Sequence, residues 1–201
     1  MTSTLRIYDP RYPPSTGPYA VTMLGDSKTL DESWTTLLTN ALEAKSGTDW
    51  ASDIYAQGST TLALAVANLA TLLTHIPTGT AGSCLHVLVN LGANEMASMP
   101  SAATWKANYW TLIDAIVAQQ PGALVYPVKP WYRGKDSEAL TMAGWVDDVI
   151  AQRPTVTRLG HNEYRWLRGA DDGATMTTDG VHYSAAGQTE CTAQWMAAIT
   201  I

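Results

Sequence analysis

Five short apolar runs alternate with segments of helical period along this chain, and that alternation restricts the fold more than any other feature. The runs are 19–25 (YAVTMLG), 52–57 (SDIYAQ), 84–91 (CLHVLVNL), 123–128 (ALVYPV) and 155–159 (TVTRL). Between the second and third, Leu62, Val66, Leu69, Leu73 and Ile76 recur at steps of three and four, as do Trp105, Tyr109, Leu112 and Ile116 before the fourth. Each set forms one apolar stripe on a helix. Apolar strands separated by such helices need cover on both faces of the sheet, and right-handed crossovers put the helices there. The expected fold is α/β, a three-layer α/β/α sandwich with a five-stranded parallel sheet in flavodoxin-like order 2-1-3-4-5. With 201 residues, 46% of them hydrophobic, and no internal repeat, the chain reads as a single domain, 1–201, with a Pro-rich irregular lead over 1–18.

Charge and composition narrow the partners. The formal net charge is −6 with no run of Lys or Arg, so neither a nucleic acid nor an anionic membrane is expected to bind. There is no window of about 18 apolar residues and no apolar N-terminal run, so a soluble chain without an export signal is expected. Two cysteines make no disulfide framework, and Cys84 in a strand and Cys191 in a helix are expected as buried thiols. His75, His86 and His161 are scattered, with no H-E-x-x-H or paired-Cys spacing, so no metal or other cofactor is expected. His86 lies within a strand and reads as a satisfied core residue.

In parallel sheets ligands gather at the carboxyl ends of the strands. Gly25-Asp26-Ser27 follows the first run, Gly58-Ser59-Thr60 the second and Gly92-Ala93-Asn94-Glu95 the third; Asp179-Gly180-Val181-His182 comes well after the fifth. Ser27 is a natural helix cap, but Thr29-Leu30-Asp31-Glu32 has the form of a capping box and would leave its hydroxyl free. A hydroxyl becomes a strong nucleophile by losing its proton to an imidazole that a carboxylate orients. Asp179, three residues before His182 across a turn at Gly180, suits that role, although Asp-Gly is also an ordinary turn and Ser184 would cap a last helix after His182. The fifth strand would lie roughly 14 Å from the first at about 4.8 Å per step, and the segment 160–183 is long enough to fold back over that gap. The Ser27 N–H, the Gly58 N–H and the Asn94 side-chain amide can then converge on one oxygen as an oxyanion hole, though Gly58 and Asn94 taken singly are common turn residues.

The blocks LGDS (Ser27), AQGST (Gly58), LGANE (Asn94) and DGVH (Asp179, His182) follow one another over nearly the whole chain. In this the sequence resembles the SGNH hydrolases, the GDSL esterase superfamily. The resemblance implies a similar fold and the chemistry of serine esterases, lipases, thioesterases and carbohydrate O-acetyl esterases. Two departures stand out. Glu95 replaces the aspartate of the family's G-x-N-D, and Lys28 follows the serine where an apolar residue is common; Lys28 could raise the local positive potential, but it is expected in solvent. No G-x-S-x-G elbow occurs, which disfavours the α/β-hydrolase layout.

The loops KPWYRGKDS and HNEYRWLRG bring Trp131, Tyr132, Arg133, Tyr164, Trp166 and Arg168 toward the expected mouth. Rings there can stack on sugars and guanidiniums can hold carboxylates or hydroxyls; the alternative is that they pack the loops. Without an apolar lid insertion, the expected activity is hydrolysis of short-chain acyl esters, carbohydrate acetates among them, on a small-molecule or carbohydrate substrate. A lipase or thioesterase, an acyltransferase on the same scaffold, and a non-catalytic carbohydrate-binding module are the alternatives.

Overall fold

The computed structural model describes residues 19–30, 33–77, 84–168 and 172–199. β1 (Tyr19–Gly25) runs through the middle of a parallel sheet, between β2 (Trp50–Ala56) and β3 (Cys84–Asn90), and β4 (Leu124–Pro127) pairs with β3. The order is β2-β1-β3-β4, as expected for the first four strands. Gly25 stands opposite both Ala56 and Asn90, so three strands end level. Val21 to Leu24 and Leu85 to Asn90 are buried because helices cover both faces, whereas β2, at the edge, is half-buried along most of its length.

The expected fifth strand, 155–159, is not a strand of this sheet. Its neighbourhood instead makes two isolated parallel bridges, Val125 with Thr157 and Lys129 with Asn162. Val125 N–H donates to Val156 O at 2.8 Å and Arg158 N–H to Val125 O at 2.9 Å, but at the next rung Pro127 has no N–H to give. Only the bond from Gly160 N–H to Pro127 O, 2.9 Å, remains there. Beyond it the pairing has slipped by one residue, with Lys129 N–H on His161 O and Glu163 N–H on Lys129 O. A missing donor followed by a register slip breaks the ladder, and among the described residues the sheet has four strands.

α1 (Ser27–Leu30) follows β1 after a single residue, Asp26. α2 (Trp34–Ser46) packs against α8 (Ala185–Ala198), with the rings of Trp34 and Trp195 stacked 6.2 Å apart. The periodic segment 62–76 is two short helices, α3 (Leu62–Ala67) and α4 (Leu69–Leu73). They part at Asn68, whose side-chain amide donates to Leu64 O at 3.0 Å; short polar side chains compete in this way with helical bonding. α5 (Ala102–Gln119) buries the expected stripe Trp105, Tyr109, Leu112 and Ile116, and the Ser101 hydroxyl caps it by accepting Thr104 N–H. α6 (Asp136–Gln152) packs beside α5, and α7 (Glu163–Arg168) contacts α6. The Ser184 hydroxyl caps α8, accepting Gly187 N–H at 3.2 Å.

Cys191 is buried in α8, while the side chain of Cys84 lies outside the described residues. His86 is buried with Nδ1 2.9 Å from the Tyr126 hydroxyl, and burial lowers its pKa to about 4. Among the described residues no helix is long and apolar enough to cross a membrane, and no group of three or more His, Cys, Asp or Glu is placed to hold a metal ion.

Gly25 makes the passage from β1 to α1 possible. A Cβ there would lie 2.0 Å from Thr29 Oγ1 and 2.4 Å from Thr29 Cβ. Gly25→Ala is therefore expected to destabilise the fold by about 1–3 kcal/mol, which for a chain of this size lowers Tm by roughly 2–4 °C per kcal/mol. Thermal unfolding checks this, and an unchanged Tm would mean that the turn relaxes freely.

Candidate active site

Asp26, not Ser27, caps α1. Its buried carboxylate accepts Lys28 N–H through Oδ1 at 2.9 Å, and its backbone oxygen accepts Thr29 N–H and Leu30 N–H. The capping box is therefore not what leaves Ser27 free: Thr29 lies inside α1 with its hydroxyl buried and unpartnered, and Asp31 and Glu32 lie outside the described residues. Burial raises the pKa of Asp26, against the pull of the Lys28 charge and N–H.

Residues 160–163 run back beside β4, and His182 lies against Ser27. His182 Nε2 lies 2.9 Å from Ser27 Oγ, and Nδ1 lies 2.6 Å from Asp179 Oδ2. A carboxylate at Nδ1 fixes the proton there, which leaves Nε2 to accept from the serine hydroxyl. Asp179 Oδ1 accepts the N–H groups of Val181 and His182 at 2.9 and 2.8 Å. Partial burial opposes ionisation of Asp179, but these backbone bonds and the imidazole outweigh it and bring its pKa down to about 2. Gly180 turns the chain with φ 91°, and its carbonyl accepts Arg133 N–H at 3.1 Å.

The expected oxyanion donors are in two different conditions. Among the described residues no acceptor takes the N–H of Ser27 or of Gly58, which lies in the exposed turn after β2. Asn94, by contrast, donates its amide to Asp26 Oδ2 at 3.1 Å and to Thr60 O at 3.0 Å, so both its hydrogens face inward. The next residue, Glu95, is buried and reaches Leu62 N–H at 2.5 Å, tying the start of α3 to the turn after β3. Burial raises the pKa of Glu95, with the Leu62 N–H pulling the other way.

The six residues considered for substrate contact divide. Trp131 is completely buried: its indole donates to Asp136 Oδ1 at 3.3 Å, its backbone N–H to Glu163 Oε2 at 2.9 Å, and a Cβ on Gly173 would meet its ring at 2.6 Å. It is loop core and does not face a ligand. The Trp166 indole donates to His161 Nδ1 at 3.2 Å, and its ring packs 5.6 Å from that of Tyr183. Arg168 pairs with Asp136 at 2.7 Å and lies 5.6 Å over the Tyr164 ring. Tyr132 is half-buried against the core. Arg133 alone of the six bonds to the Asp179–His182 turn, through its backbone N–H on Gly180 O, while its Nε donates to Asp172 O at 3.0 Å.

Lys28 departs most from expectation. Its side chain is 1% exposed and pairs at 2.5 Å with Glu163, itself 0% exposed. The usable signal was its position one residue beyond Ser27, where an apolar residue is common and a cation therefore needs a carboxylate. A partner 135 residues away could not be read from the sequence.

Asp179 offers a direct check. Its folded pKa of about 2 lies below the ordinary aspartate value of 3.8, so the stability it contributes is present above about pH 3.8 and is lost as pH falls toward about 2. Carboxyl-carbon NMR titration is expected to show the low value in the wild type and a smaller depression in His182→Ala, which keeps the backbone bonds but loses the ring. An ordinary aspartate titration in the folded wild type would contradict the geometry.

No protein-family model matches the sequence, and no curated protein sequence matches it significantly. Solved structures do resemble it. TesA is 22% identical, with 89% of this chain and 96% of that one covered at a TM-score of 0.69. The psychrotrophic esterase EstA from Pseudoalteromonas sp. is 17% identical, with 89% and 95% covered at 0.69. The acetyl xylan esterase AlAXEase is 16% identical, with 90% and 100% covered at 0.70. Other similar structures are a GDSL-like lipase and a member of the lipolytic G-D-S-L family. The chain has the fold of the SGNH, or GDSL, hydrolases.

Proposed function

We propose that the protein is a serine esterase acting on short-chain acyl esters, carbohydrate acetates among them. The observation that carries this reading is the unbroken chain from Ser27 Oγ through the His182 ring to Asp179, at 2.9 and 2.6 Å. Ser27 Oγ attacks the ester carbonyl while Nε2 of His182 takes the hydroxyl proton, and the resulting imidazolium passes that proton to the leaving alcohol as the C–O bond breaks. Water then attacks the acyl-enzyme, losing its proton to the same nitrogen, and the carboxylic acid departs as the proton returns to Ser27. The developing oxyanion takes the unengaged N–H groups of Ser27 and Gly58. Asn94 joins them by giving up or sharing one of its two inward bonds, the weaker candidate being that to Thr60, a neutral carbonyl.

Preference for short acyl groups rests on the absence of an apolar lid insertion and on similarity of fold to structures described as an acetyl xylan esterase and an acetyl esterase. Arg133, beside the catalytic turn, is the best placed of the six residues to meet a polar alcohol group.

A fluorophosphonate probe is expected to modify Ser27, located by peptide mapping. Ser27→Ala is expected to remove labelling and lower kcat on p-nitrophenyl acetate by about 10³-fold or more while leaving Tm within about 2 °C. Labelling at another residue would contradict the assignment. Because the base is neutral imidazole while Asp179 stays ionised down to about pH 2, kcat/KM is expected to fall on acidification along a single ionisation. A rate that does not fall on acidification before Asp179 itself is protonated would remove His182 as base.

A further inference from the structure

The Lys28–Glu163 pair sits where water does not reach it. Desolvating two charges is costly, and well-packed apolar residues often serve stability as well or better. Stability alone therefore gives little reason for the pair to be there, and its connections give a better one. Glu163 Oε2 also accepts Trp131 N–H at 2.9 Å, and Oε1 accepts the buried hydroxyl of Tyr183. Asn90, the last residue of β3, donates its side-chain amide to the same hydroxyl at 3.4 Å, and the Lys28 ammonium lies 5.9 Å from the Tyr183 ring centre. Lys28 is the residue after Ser27, and Tyr183 is the residue after His182. A single carboxylate thus grips the chain beside the nucleophile, the chain beside the base, and the loop after β4.

We infer that Glu163 is a positioning residue for the Ser27–His182 contact, locking the segment that carries His182 to the turn that carries Ser27 through Tyr183 and Lys28. The inference rests on the serine-esterase reading. Glu163 stands near the start of the returning segment and Tyr183 at its end, so their hydrogen bond closes the segment on itself and the Lys28 pair fastens the closed loop to α1. The bonds of Asp179 hold the catalytic turn together internally but do not tie it to Ser27. Directional bonds at three points restrict how the chain beside Ser27 and the chain beside His182 can shift against each other. A 1 Å misplacement at the reacting atoms is enough to cost about 10²-fold in rate. The Lys28 charge also keeps Glu163 ionised, since it and its neighbours pull the Glu163 pKa below the ordinary carboxylate range although burial pushes upward.

The test uses the full chain and three variants, Tyr183→Phe, Glu163→Gln and the two combined. Each is measured for kcat and KM on p-nitrophenyl acetate, for the rate of fluorophosphonate labelling at Ser27, and for folding by near-UV circular dichroism and Tm. Tyr183→Phe and Glu163→Gln are expected to lower kcat and the labelling rate by about ten- to a hundredfold with KM within about twofold. The double variant is expected to lose little more than the worse single one, because the two side chains act as one unit. A merely structural role would lower Tm and leave kcat per folded molecule unchanged. Should Glu163→Gln fail to fold, Tyr183→Phe, which removes one oxygen and adds no volume, decides alone. An active wild type together with a folded Tyr183→Phe whose kcat stays within about twofold overturns this inference only. A wild type that neither labels at Ser27 nor hydrolyses the ester overturns the esterase reading and this inference with it.

Discussion

Level endings of three parallel strands are the constraint on which the site depends. With Gly25, Ala56 and Asn90 opposite one another, the turns that follow β1, β2 and β3 open at one rim. Ser27, Gly58 and Asn94 are two, two and four residues past those ends. The proposed base, His182, comes from a segment that travels back to that rim, and the hydrogen bonds of residues 156–163 along β4 direct the start of the return.

Beneath the rim lie three buried carboxylates, and each accepts a backbone N–H: Asp26 from Lys28 within its own turn, Glu95 from Leu62 and Glu163 from Trp131 across neighbouring segments. Strand ends and tight turns leave such donors without ladder partners, and a buried unpaired N–H is costly. The acids meet that need, and Glu95 and Glu163 in doing so join neighbouring turns. Asp26 also holds the Asn94 amide, and Glu163 also holds Lys28 and Tyr183. Polar bonding beneath the site therefore links the groups proposed for the nucleophile, the oxyanion and the base, and the apolar core below supports the whole.

Much of this was legible in the sequence, for physical reasons. Apolar runs and helical stripes are local patterns, so β1, β3, β4 and the buried face of α5 could be drawn closely, and parallel topology followed from their alternation. Asp179 and His182 could be paired because a three-residue spacing across a glycine turn is itself a short-range geometry. The fifth strand failed because Pro127, plain to see in the sequence, matters only once it is known which residue faces it. Asp26 took the cap that Thr29 was expected to provide, since a buried strand end selects the nearest carboxylate. Trp131 and Lys28 were misplaced for a common reason: aromatic or charged character suggests solvent or ligand, while burial depends on partners, Asp136 and Glu163, supplied from elsewhere in the fold.

The most direct measurement of the central claim is the crystal structure of the protein after reaction with a small phosphonate ester. A covalent bond from Ser27 Oγ to phosphorus is expected, with the phosphoryl oxygen about 2.7–3.1 Å from both the Ser27 and Gly58 nitrogens and the His182 ring still in contact with Asp179. An adduct on any other residue, or a phosphoryl oxygen turned away from those two N–H groups, would contradict it.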